Sequence, residues 1–116
     1  MPLGYDVVLY DRDAKAGGMM RSQIPAFRLP GTVLDEEVQL ILDFGVKQRF
    51  GEEITSLKAL LANDYDAIFI GTGAPAGKPM VLPGYDEAAE SIHIGINWLA
   101  GVSFDHIKSI GRRVVV

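Results

Sequence analysis

The apolar run Val7-Val8-Leu9-Tyr10 ends at a carboxylate, Asp11, and a glycine pair, Gly17-Gly18, follows after one short loop. The nearly continuous apolar stretch from Tyr5 to Tyr10 reads as a strand covered on both faces, the pattern of a central strand in a parallel sheet. A carboxylate at the end of such a strand can accept both hydroxyls of a ribose, and glycine lets the backbone approach a cofactor closely. The arrangement suits the second half of a dinucleotide site. Aspartate beside glycine is equally the usual residue of a solvated turn, and Gly17-Gly18 can serve that turn alone.

The first half of such a site is not written in these residues. No GxGxxG occurs, and only Met1 to Asp6 precede the Val7–Tyr10 run, so the expected first strand and phosphate-binding helix have no residues to make them. The chain is therefore expected to be a piece of a larger enzyme.

The remaining elements alternate as an α/β chain does. Thr32 is expected to cap a helix whose first turn carries Asp35, Glu36 and Glu37, with Leu34, Val38, Ile41 and Leu42 at helical spacing and Gly45 as its stop. Val46 to Phe50 reads as a short strand. Gly51 to Thr55 then turns into a second helix starting at Ser56, with Leu57, Leu60 and Leu61 on one face and Asn63 near its end. Asp66 to Ile70 reads as another fully apolar strand, left through Gly71-Thr72-Gly73-Ala74. Pro75, Gly77, Pro79, Pro83 and Gly84 mark a loop with a short extended pair around Met80 to Leu82. Residues 94–101 suit a helix with Ile96, Trp98 and Leu99 inward, and Gly111 to Val116 opens a β-branched strand.

Several function classes fall away on composition. Lys plus Arg number 11 against 15 Asp plus Glu, a net charge of -4, so the basic excess that drives nucleic-acid binding is missing. No apolar stretch approaches the roughly 20 residues of a membrane span. The absence of cysteine removes disulfides, thiolate zinc and cysteine-ligated iron–sulfur clusters from these residues and fits a cytoplasmic protein. His93 and His106 have no partner at ligand spacing and read as surface or packing residues. The Glu36-Glu37 pair suits helix electrostatics, Asp64 and Asp66 flank a strand, and no GxSxG elbow occurs, so no catalytic residue is assigned.

The run Gly17-Gly-Met-Met-Arg-Ser-Gln-Ile-Pro-Ala-Phe-Arg-Leu-Pro30, the Ala67-Ile-Phe-Ile-Gly-Thr-Gly-Ala74 segment, the Leu82-Pro-Gly84 turn and the Gly111-Arg-Arg-Val-Val-Val116 ending together resemble the glutamate synthase small-subunit family. That family includes the flavin domain of dihydropyrimidine dehydrogenase. The resemblance implies two Rossmann domains, one for FAD and one for NADPH, and electron transfer from NADPH through flavin to an iron–sulfur partner. By this likeness residues 1–111 form an incomplete Rossmann-like FAD-binding domain with a mostly parallel sheet, and residues 112–116 the first strand of an NAD(P)H-binding domain. The NADPH site itself would lie outside the chain.

The same likeness assigns roles. Asp11 takes the ribose position, where the family usually has glutamate. Gly17 counts among the cofactor-binding residues, Gly18 lies close to the ribityl and pyrophosphate part, Met19 or Met20 beside the flavin, and Arg21 supplies positive charge to the cofactor. Ile54 pairs its backbone with adenine, and Thr72 with Gly73 covers the pyrophosphate. Arg28, in the same loop, is read as solvent-facing. The alternative for the isolated chain is a non-catalytic Rossmann-like binding or interaction module. In the doubly wound order the missing strand would lie between those ending at Asp11 and Ile70, so two open edges are expected, and with them either self-association of the isolated chain or a rearranged strand order.

Overall fold

The computed structural model describes residues 3–116. Their elements run β1 (Val8–Asp11), α1 (Gly18–Gln23), α2 (Gly31–Leu42), β2 (Lys47–Phe50), α3 (Leu57–Leu61), a 3-10 turn (Ala89–Ser91) and α4 (Gly95–Ser103). They fall into two compact units, residues 3–18 with Thr32–Gly73, and Met19–Gly31 with Ala74–Val116. The class is α/β, a Rossmann-like fragment whose sheet, among the described residues, is one parallel pair, β1 and β2.

In the first unit the pair runs in register from Val8 opposite Lys47 to Asp11 opposite Phe50. The ladder extends past both ends: Lys47 N donates to Val7 O at 2.9 Å, and Glu52 N donates to Asp11 O at 3.1 Å. Helix α2 crosses between the strands because Leu34, Val38 and Leu42 recur every fourth residue and give it one apolar side. Leu34 and Leu42 are buried and Val38 is half-buried. The chain leaves the helix at Gly45, whose φ is 95° and whose N–H returns to Leu42 O at 3.0 Å. Helix α3 starts as its sequence requires: Ser56 Oγ accepts from Ala59 N at 3.2 Å, which satisfies a donor that the first turn leaves open. Leu60 from this helix joins Leu34 and Leu42 as the buried hydrophobic core among the described residues.

The second unit holds α1, the Pro25 turn, the proline-rich loop and α4. Arg28 N and Leu29 N both donate to Pro25 O, at 2.8 and 3.1 Å. Ile96, Trp98 and Leu99 are half-buried on α4, the inward set that its sequence spacing predicts.

Other expectations are corrected. The first strand is four residues, not Tyr5–Tyr10; among the described residues it pairs only with β2, and it is not covered on both faces, since Leu9 within it is 40% exposed. Thr32 is not the cap of α2 but its second residue. The first turn therefore carries no acidic residue, and Asp35 instead faces Lys15 at 3.9 Å. Asp66–Ile70, Met80–Leu82 and Gly111–Val116 form no strand ladder, and Phe69 and Val115 are 93% and 98% exposed. High β-propensity describes a side chain that fits a pleated, half-buried surface, and without a neighbouring backbone to pair with it makes no strand. In the opposite sense, Arg21, expected in the loop around Pro25, is helical with the rest of Gly18–Gln23.

Candidate functional site

Asp11 closes β1 at the carboxyl end of the parallel pair, the end at which open α/β sheets bind ligands. The chain grips it twice. Its Oδ1 accepts from Asp13 N at 3.0 Å, an Asx turn that starts the following loop, while its backbone oxygen accepts from Glu52 N. The neighbouring Asp13 O accepts from Gly51 N at 3.0 Å. The Asp11 turn and the residues leading to Ile54 are thus stitched together, and Ile54 itself is 37% exposed. Asp11 is half-buried, and its Oδ2 has no hydrogen bond among the described residues.

Gly17 and Gly18 have φ values of 127° and 49°, conformations that side chains rarely adopt, so the pair is required by backbone geometry. A Cβ built on Gly18 would meet no heavy atom within 4 Å. Gly73 repeats the pattern, with φ +68° and no heavy atom within 4 Å of a built Cβ. Thr72 and Gly73 are exposed, and among the described residues no hydrogen bond ties them to the Asp11 turn. The first unit holds residue types that fit a dinucleotide: a half-buried carboxylate at a strand end, and two glycines at which an added Cβ would meet no heavy atom within 4 Å.

Met20 and Arg21 belong to the second unit, on α1. Met20 is 51% exposed, and Arg21 is half-buried with Nη1 4.0 Å from where a Gly31 Cβ would stand. Arg28 is exposed.

Two features have no signature in the sequence. Tyr10 and Tyr65 meet in the first unit with hydroxyls 2.9 Å apart and rings edge to face at 6.5 Å. The hydrogen bond that the neutral Tyr10 hydroxyl can donate to Tyr65, reinforced by burial, holds the Tyr10 phenol above its ordinary value. Contacts between residues so distant in the chain follow from no periodicity. In the second unit a cavity of about 240 Å³ is lined by Ile92, His93, Ile94, Asn97, Trp98 and Ile107. His93 packs on Trp98 there, with ring centroids 4.9 Å apart. Among the described residues no group of three or more His, Asp and Glu side chains could hold a metal ion, and no helix is long and apolar enough to cross a membrane.

No known family model matches the chain. It is 34% identical, over an alignment of 116 positions that covers 97% of its length, to the NADP(+)-dependent formate dehydrogenase subunit beta of Moorella thermoacetica. It is 35% identical over 99 residues, 84% of its length, to the NAD-dependent dihydropyrimidine dehydrogenase subunit PreT of Salmonella typhimurium. The PreT subunit of Escherichia coli is 36% identical over 81 residues, 68% of the chain. The chain spans 16%, 23% and 20% of the lengths of these three relatives. All three are subunits of pyridine-nucleotide oxidoreductases.

Proposed function

We propose that this chain is part of an FAD-dependent NAD(P)H oxidoreductase of the glutamate synthase small-subunit type, in which electrons pass from NADPH through flavin to an iron–sulfur protein or domain. The observation that carries the reading is Asp11, a half-buried carboxylate with an open oxygen at the carboxyl end of a parallel strand pair. The likeness to NADP- and NAD-dependent oxidoreductase subunits across most of the chain supports it.

FAD, when bound, supplies a group that accepts a hydride and returns electrons singly. The chain's own residues would do the holding. Asp11 accepts from ribose hydroxyls, and Gly17 and Gly18 give the backbone close approach. Ile54 offers its backbone to adenine, and Thr72 and Gly73 cover the pyrophosphate. In the second unit Met20 packs beside the flavin and Arg21 brings positive charge. Residues 1–111 serve the FAD side, and residues 112–116 lead into the NAD(P)H-binding domain of a cytoplasmic protein.

The test is the visible spectrum of the full-length gene product that carries this segment. Flavin bands that bleach on anaerobic addition of NADPH are expected. A colourless protein with no affinity for added FAD would overturn the reading.

The absence of any GxGxxG from these 116 residues favours a second reading for the isolated chain, a non-catalytic Rossmann-like module. It predicts weak or no FAD binding by the isolated chain and self-association through its open strand edge, read by sedimentation.

A further inference from the structure

Two turns meet at the carboxyl end of the β1–β2 pair, and both belong to the first unit. One begins at Asp11, whose Oδ1 accepts from Asp13 N at 3.0 Å. The other begins at Gly51, directly after β2. Two backbone hydrogen bonds join them: Gly51 N donates to Asp13 O at 3.0 Å, and Glu52 N donates to Asp11 O at 3.1 Å. Asp13 is thereby held at both its backbone groups, its N–H on the Asp11 carboxylate and its carbonyl on the Gly51 amide.

Residue 51 makes this link with φ +77°, in the left-handed region that a residue with a Cβ enters only at a cost. A Cβ built there would meet no heavy atom within 4 Å, so the cost of a substitution lies in the backbone angle and not in crowding. The ion pair between Arg49 and Glu52 spans 3.9 Å with both side chains exposed, too weak an interaction to hold the turn by itself.

We propose that Gly51 is a positioning residue: its left-handed backbone lets its N–H hold Asp13, and Asp13 in turn sets the Asp11 carboxylate for the ribose of the flavin nucleotide. This rests on the function proposed above. In the full-length gene product, Gly51→Ala weakens FAD binding roughly fivefold, as the turn spends most of its time outside the binding-competent conformation. Gly51→Asn stays within about twofold of wild type, because asparagine enters the left-handed region more readily.

Two further measurements separate positioning from general stability. Beside Asp11→Ala, which leaves no carboxylate to aim, Gly51→Ala adds less than about twofold. In wild type without cofactor, the Gly51 and Glu52 amides exchange slowly, since their acceptors are already in place; this needs no variant to fold. The positioning role is overturned if wild type binds FAD and Gly51→Ala binds it equally well, if Gly51→Asn loses as much as Gly51→Ala, or if the Gly51→Ala loss recurs in full beside Asp11→Ala. Exchange at Gly51 and Glu52 as fast as in an open chain overturns it as well. If wild type binds no FAD, the functional reading fails and the aim at the ribose falls with it.

Discussion

The hydroxyls of Tyr10 on β1 and Tyr65, at the head of the apolar stretch Asp66–Ile70, lie 2.9 Å apart and tie that stretch to the sheet through side chains. The bond holds the Tyr10 phenol above its ordinary value, so the neutral phenol is the form the fold favours. The stability this gives is fully present below the pKa of an unfolded tyrosine and is lost as pH rises through the raised, folded value.

Tyr65→Phe is therefore expected to bring the Tyr10 titration back toward that of a free tyrosine. Phenolate absorbance against pH in wild type and Y65F checks it. In thermal unfolding, the difference in Tm between the two is largest below the ordinary tyrosine pKa and shrinks in strong alkali.

The leucine core sets a second expectation. Leu34 and Leu42 are buried, while Ile41 on the same helix is 62% exposed. Replacing either leucine by alanine is expected to cost about 2–4 kcal/mol, and Ile41→Ala within about 0.5 kcal/mol of nothing, by denaturant titration. Equal losses at Leu42 and Ile41 would contradict the orientation of α2.

The cap of α3 gives a third. Ser56→Ala removes the acceptor of the Ala59 amide and is expected to cost about 1 kcal/mol, whereas Ser56→Gly costs only a few tenths. The order of the two unfolding midpoints checks it.

Elements specified by neighbours in the chain were legible in the sequence. Helix α2 follows from Leu34, Val38 and Leu42, its stop from Gly45, and α3 from the Ser56 cap with Leu60 one turn on. Elements that need a distant partner were not. Ile68 to Ile70 and Val114 to Val116 have the residue preferences of a strand but pair with no other strand among the described residues, so they form none. Helix α1 was hidden by the glycines before it and Pro25 after it, and it is held by Ile96 and Ser103, far along the chain. In the candidate site, Asp11 could be placed at a strand end from its apolar run. Its link to the residues before Ile54 comes from the ladder beyond Phe50, which no local pattern encodes.

Asp11→Asn in the full-length gene product bears most directly on the central claim. Asparagine keeps an oxygen to accept from Asp13 N, so the turn is retained, while the charge and the open carboxylate oxygen are lost. A fluorescence titration with FAD is expected to show binding weaker by roughly ten- to a hundredfold, the range for a hydrogen bond to a charged group, with the unfolding midpoint of the cofactor-free protein unchanged. Identical FAD affinities in wild type and Asp11→Asn would contradict the account.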